Sequence, residues 1–87
     1  MSEGSNVAVA PNPTNGSSFV VIQSANSNNA TVQVTDLTGR VVYRVQQQLS
    51  NGANRIEIPA SAIAVKGVYM VQVVTGSQTH TEKLVSY

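Results

Sequence analysis

Lys66-Gly67-Val68-Tyr69-Met70-Val71-Gln72-Val73-Val74-Thr75 is the longest run of strand-forming residues in the chain. A glycine opens it, and β-branched and aromatic side chains fill it without helical spacing, so it reads as one strand. Gly76-Ser77 follows at once, and a Gly-X pair between two extended runs predicts a type II′ hairpin. Gln78 to Tyr87 then folds back antiparallel and places the last residues inside a sheet. Both faces of the 67–75 strand are apolar: Tyr69, Val71 and Val73 on one, Val68, Met70 and Val74 on the other. A sandwich strand needs only one buried face. The second face is either outward valine that suits strand geometry or a docking patch.

With 87 residues there is room for one small domain. The chain is 41% hydrophobic, 10% charged and carries a net charge of +1, with 15 valines and 32 Ser, Thr, Asn and Gln residues. A polar, weakly charged surface over a valine core fits an all-β domain. The five cations, Arg40, Arg44, Arg55, Lys66 and Lys83, are scattered and form no footprint for nucleic acid. Without cysteine, neither disulfides nor a thiolate metal site supports the fold. No stretch reaches the roughly 20 apolar residues of a spanning helix. Residues 1–6, Met1 to Asn6, lack the cationic start and apolar run of a secretory signal. They read as a linker or an appended remnant, ahead of a domain over 7–87 taken from a longer protein.

The upstream half supplies the other strands. Asn6 to Ala10 is a short extended piece, halted by Pro11-Asn12-Pro13, whose prolines fix backbone angles and remove two donors. Asn15-Gly16 predicts a left-handed turn. Ser17 to Gln23 follows, with Phe19 and Val21 on one face and Val20 and Ile22 on the other; Ala25 to Asn29 is a polar loop. Ala30 to Leu37 alternates with Ala30, Val32 and Val34 inward, as a half-buried antiparallel strand does. Asp36-Leu37-Thr38-Gly39 turns the chain into Arg40 to Leu49, where Val41, Tyr43 and Val45 are expected inward and Gln46 to Gln48 forms a solvated end. Asn51-Gly52 is a hairpin signal leading into Asn54 to Ile58, with Ile56 and Ile58 inward. Pro59 to Val65 reads as a crossover with one helical turn near Ser61 to Ala64. About seven strands with turn signals every 8 to 12 residues predict an antiparallel β-sandwich with Greek-key, immunoglobulin-like connections. The strand order does not follow from the pattern.

No constellation in the sequence carries chemistry. The single histidine, His80, lies in a strand-like segment; Glu3, Asp36, Glu57 and Glu82 are dispersed, without acid–base pairing or a cation cage. No serine or threonine sits in a nucleophile elbow, and the glycines show no phosphate-loop spacing. Asn15-Gly16-Ser17 and Asn29-Ala30-Thr31 match the glycosylation sequon, as chance produces in so Asn- and Ser-rich a chain. The expectation is a protein without catalytic residues, metal or cofactor, and without a small-molecule substrate.

Four short blocks carry a resemblance. Ala10-Pro11-Asn12-Pro13-Thr14-Asn15-Gly16 resembles the opening of the type A C-terminal sorting domain of the type IX secretion system. Asp36-Leu37-Thr38-Gly39-Arg40-Val41-Val42 is similar to its central turn, which pairs an aspartate, a glycine and a basic residue. Lys66-Gly67-Val68-Tyr69 and Lys83-Leu84-Val85 resemble its last two strands. The likeness spans about residues 7–87 and departs at Ser86-Tyr87, where the family more often ends in a basic or amide residue. It implies Pro11, Asn12, Pro13, Asp36, Gly39, Arg40, Gly67 and Tyr69 as motif residues of structural weight. It also implies translocon recognition through Thr81, Lys83, Leu84, Val85, Ser86 and Tyr87. The domain would follow a cargo domain in Bacteroidota, pass through the periplasm, and meet the outer-membrane translocon. A sortase commonly removes it, in the linker at or upstream of Gly4 to Val7, and the cargo reaches the cell surface or the medium.

The rival reading is an accessory β-sandwich, a spacer or a carbohydrate-binding or adhesion module of a surface protein. Sugar-binding faces use exposed aromatic platforms. Here there is no tryptophan, one phenylalanine and three tyrosines, of which Tyr43 and Tyr69 are expected inward.

Overall fold

The computed structural model describes residues 6–24, 28–76 and 78–87. Seven strands follow one another: β1 (Asn6–Ala10), β2 (Ser18–Ser24), β3 (Asn28–Asp36), β4 (Val41–Leu49), β5 (Gly52–Ile58), β6 (Gly67–Thr75) and β7 (Gln78–Ser86). One 3-10 turn, Ala60–Ile63, separates β5 from β6. The strands form two antiparallel sheets, in the orders β1-β2-β5 and β4-β3-β6-β7. The chain changes sheet between β2 and β3, between β4 and β5, and between β5 and β6. That is the immunoglobulin-like Greek key expected from the strand count and the long crossover.

Period-two alternation puts one face of each sheet inside. Val20 and Ile22 of β2 and Ile56 and Ile58 of β5 meet Ala30, Val32 and Val34 of β3, Tyr69, Val71 and Val73 of β6, and Leu84 of β7. Ile63 of the 3-10 turn closes the core where the crossover passes. Each such fully buried aliphatic side chain is worth roughly 1.5–3 kcal/mol of transfer free energy. The second face of β6 is no open patch. Val68, Met70 and Val74 are half-buried, with exposed Gln72 among them. Cross-strand neighbours flank them: Val85 opposite Val68, Lys83 and Thr35 opposite Met70, Thr79 and Thr31 opposite Val74.

Four local expectations need correction. Asn51-Gly52 makes no hairpin, because β4 and β5 lie in different sheets. The bend is held by buried Asn54, whose Oδ1 accepts the Ser50 N–H at 3.0 Å and whose Nδ2 donates to the carbonyls of Ser50 (2.9 Å), Gly52 (3.1 Å) and Ile22 (3.3 Å). Asn15-Gly16 is not left-handed: no described non-glycine residue has positive φ, and neither does Gly16. The Thr14 hydroxyl shapes that turn instead, accepting from Gly16 N–H at 3.1 Å and donating to Ser17 C=O at 2.8 Å. Val41 faces solvent at 48% exposure rather than the core. The β3–β4 register shifts between Val34 and Thr35, so Tyr43 pairs with Val34 but Val41 with Thr35. That bulge reverses the alternation, and Val42 joins Tyr43 and Val45 against the core. Lastly, β3 begins at Asn28, inside the expected loop, of which Ala25–Ser27 lie outside the described residues.

The ends of the predicted strands moved less. β1 has the expected bounds, and its Asn6, also counted with the 1–6 linker, pairs with Gln23, while residues 1–5 lie outside the described set. Two residues connect β6 to β7, with Gly76 at φ 57°. Ser77, on which the turn type depends, is not among the described residues.

Candidate functional site at the C-terminal pole

The strands give the sandwich two poles along its 36 Å axis. Asn6, the 50–52 bend and Gly76 lie at one. At the other lie the Pro11-Asn12-Pro13 segment, the β3–β4 turn, the crossover and Tyr87. Register fixes the second pole: Asp36 is opposite Tyr69, and Gly67 is opposite Ser86. The chain therefore enters at one pole and leaves at the other.

Pro11 and Pro13, which cannot donate to a ladder, mark where the chain quits the β1-β2-β5 sheet. Both peptide bonds preceding them are cis. The Ser18 hydroxyl donates to the Pro11 carbonyl at 2.9 Å and keeps the departure close to β2. The chain then runs briefly parallel to the end of β7, through a bridge from buried Thr14 to Ser86. Asn12 Nδ2 donates to Lys83 C=O at 2.6 Å, and its Oδ1 accepts Val85 N–H at 3.0 Å. Thr14 N–H donates to Val85 C=O at 2.8 Å, and Tyr87 N–H donates to Thr14 C=O at 2.9 Å.

β7 is an edge strand, as a terminal strand open to a partner requires. The edge is not free, however: from the Lys83 carbonyl to the Tyr87 amide its outward backbone groups are already bonded. By alternation Thr79 and Thr81 face the same way, beyond the bonds from Asn12 and Thr14.

The side chains of the last strand divide. Leu84 (0% exposed) and Ser86 (4%) are buried, and the Ser86 hydroxyl donates to Ile63 C=O at 2.9 Å. Thr81, Lys83 and Tyr87 are exposed, and Val85 is half-buried.

The second block is the β3–β4 turn. Asp36 Oδ1 accepts from the Thr38 hydroxyl at 2.6 Å, the Thr38 N–H at 2.9 Å and the Arg40 N–H at 3.0 Å. Such a carboxylate knot replaces peptide–peptide bonds that a tight turn cannot make. Gly39, at φ 88°, supplies the left-handed residue, and its N–H reaches Asp36 C=O at 3.0 Å. Arg40 Nε lies 3.3 Å from Asp36 Oδ2. The Thr38 hydroxyl foremost, with the two backbone N–H groups and the Arg40 charge behind it, holds the Asp36 carboxyl below its ordinary pKa against partial desolvation.

The third block starts β6. Gly67 takes φ 149°, a left-handed value that a side chain disfavours. Tyr69 is 5% exposed and its hydroxyl donates to Val65 C=O, tying the strand to the crossover ahead of it. Between this block and the Asp36 turn lies a cleft of about 390 Å³, lined among others by Leu37, Arg40, Val65, Lys66 and Tyr69.

The fold thus brings to one pole Pro11, Asn12, Pro13, Asp36, Gly39, Arg40, Gly67, Tyr69 and Lys83 to Tyr87. Thr81, opposite Gln72, stands apart at mid-strand. Two sets escaped the sequence reading. Thr14 bridges to residues more than 70 positions away, which no local pattern signals. Leu37 and Val65 are 72% and 76% exposed; solvent exposure of single apolar residues in turns leaves no periodicity to read.

Comparison with known proteins then places the chain. The family model described as the secretion system C-terminal sorting domain matches residues 8–87. No curated protein sequence matches. Among solved structures, dimeric latent PorU from Porphyromonas gingivalis superposes with a TM-score of 0.74 over 94% of this chain, at 18% identity. A β-glucuronidase of glycoside hydrolase family 2 does so with a TM-score of 0.54 over 95%, at 15% identity. The matched part is 9% of the first chain and 11% of the second, so the likeness is one of fold in a small portion of each.

Proposed function

This chain belongs to the secretion system C-terminal sorting domain family, and from that premise we propose that it acts as a non-catalytic address label read by the type IX translocon. It follows a cargo domain through the periplasm, is recognised at the outer membrane, and is removed by a sortase cutting at or upstream of Gly4 to Val7. The cargo then remains at the cell surface or enters the medium. The observation that best supports this reading is the convergence of all four sequence blocks on the pole where the chain leaves the sandwich.

Recognition falls on the outward side chains of the last strand: Thr81, Lys83, Val85 and Tyr87. Leu84 and Ser86 serve it indirectly, anchoring the strand from below. Because the Lys83–Tyr87 backbone is occupied by Asn12 and Thr14, a partner reads side chains here rather than adding a strand.

The test uses a reporter fused to residues 7–87 in a type IX-competent cell. Deleting Lys83 to Tyr87 also removes buried Leu84, so its failure alone does not separate unfolding from lost recognition. Lys83→Ala combined with Val85→Ser and Tyr87→Ser leaves the buried anchors in place, and that fusion should remain in the periplasm. Appending a folded domain after Tyr87 should have the same effect. Normal export of both would leave a plain structural spacer. Mass spectrometry of surface cargo should find no peptide from Phe19 to Tyr87 still attached; finding one would show that the domain is retained.

A further inference from the structure

All four large hydrophobic side chains that stand exposed among the described residues, Leu37, Val41, Val65 and Tyr87, belong to the C-terminal pole. Scattered exposure is ordinary, but gathering at one end is not. Leu37 and Val65 come from different loops, and both line the cleft between the Asp36 turn and the crossover. Neither belongs to the core, which at this pole is made by buried Ile63, Tyr69 and Leu84.

The charges of the cleft are unbalanced. Its lining holds Arg40, Lys66 and one acid, Asp36. Arg40 lends Asp36 only its Nε and keeps its side chain 76% exposed, and Lys66 is exposed without an acidic partner among the described residues. The cleft is therefore an apolar notch with a cationic rim. It lies at the pole opposite the start of β1.

We propose that this cleft is a second contact surface for the translocon, filled by a protein segment that inserts an apolar side chain between Leu37 and Val65 and sets a carboxylate against Lys66. The inference rests on the sorting reading and adds a site to it, since no residue of the cleft belongs to the last strand. Apolar anchors supply the affinity of such contacts, while the charge pair sets orientation and encounter rate.

Two variants of the reporter fusion test it, with the melting temperature of each purified domain measured alongside. Leu37→Ser with Val65→Ser alters only exposed side chains and should cut export about tenfold or more at unchanged melting temperature. Lys66→Glu should lower export at unchanged melting temperature, and Lys66→Arg should restore it. Wild-type export of either the Ser/Ser or the Glu variant overturns the proposal and leaves the sorting reading intact. Failure of the unaltered fusion to leave the cell overturns both. Sedimentation of the purified domain should give a monomer. A dimer that Leu37→Ser with Val65→Ser dissociates would make a second copy of the chain the occupant, and would likewise overturn the assignment to the translocon.

Discussion

The side-chain amide of Asn12 stands in for a peptide group beside Val85: its Oδ1 accepts the Val85 N–H at 3.0 Å while its Nδ2 donates to the neighbouring Lys83 carbonyl at 2.6 Å. One short polar side chain thereby blunts the end of an edge strand, where unpaired backbone invites other chains.

Asn12→Ala should open that edge. The cost is about 1 kcal/mol, since the bonds are exposed and water replaces them. Hydrogen exchange is the sharper probe: the Val85 amide should lose protection while Val71 and Val73 keep theirs. Unchanged protection at Val85 would show that Thr14 alone seals the edge. Asn12→Asp keeps an acceptor for the Val85 N–H but sets a carboxylate oxygen against the Lys83 carbonyl, so near neutral pH the repulsion should offset the bond it retains.

Tyr69 fills the core and holds the crossover. Truncation to Ala should cost roughly 3 kcal/mol or more in denaturant unfolding, as large aromatic deletions do. Tyr69→Phe keeps the ring and leaves the Val65 carbonyl without its donor, for about 1 kcal/mol. A loss below about 1 kcal/mol for Tyr69→Ala would contradict its burial.

Gly67 is required by backbone conformation and not by crowding, since an added Cβ would meet nothing within 4 Å. Gly67→Ala should therefore destabilise by about 1–3 kcal/mol through its φ of 149°. Gly16→Ala, at an equally open site without positive φ, should be near neutral or slightly stabilising. Equal effects at the two sites would refute the conformational argument.

Asp36 links the β3–β4 turn to acid. Its carboxyl ionises more readily in the fold than in the unfolded chain, so the stability it contributes is complete above the unfolded pKa of about 3.9 and is lost as pH falls through the lower folded value. The melting temperature should drop below about pH 4, and Asp36→Asn should be less stable near neutrality with a shallower acid decline. Parallel declines for both proteins would mean that other groups govern the acid limb.

Strand identity was legible wherever burial of one face imposed alternation, as at Ala30, Val32 and Val34 or at Ile56 and Ile58. The Gly67 start and the Gly76 end of β6 were legible from composition. Pairing was not. Asn51-Gly52 is a hairpin signal by local chemistry, yet Asn54 and the separation of the two sheets make it a corner. Val41 was misplaced because a bulge shifts the phase by one residue, and a valine triplet interrupted only by Tyr43 and Arg44 reads the same either way. The candidate site was visible as four blocks of sequence, while their meeting at one pole depends on contacts spanning most of the chain.

The bridge between Thr14 and Ser86 has a mechanical consequence. Traction applied at Asn6 and Tyr87 runs along the strands and drags the 12–14 segment one way and β7 the other. The bonds made by Asn12 and Thr14 to Lys83, Val85 and Tyr87 are then loaded together in shear, none giving way until all are strained. Forced rupture follows the unfolding barrier rather than equilibrium stability. In single-molecule extension Asn12→Ala should lower the rupture force out of proportion to its small thermodynamic effect, so that resistance to pulling and resistance to heat are set by different bonds.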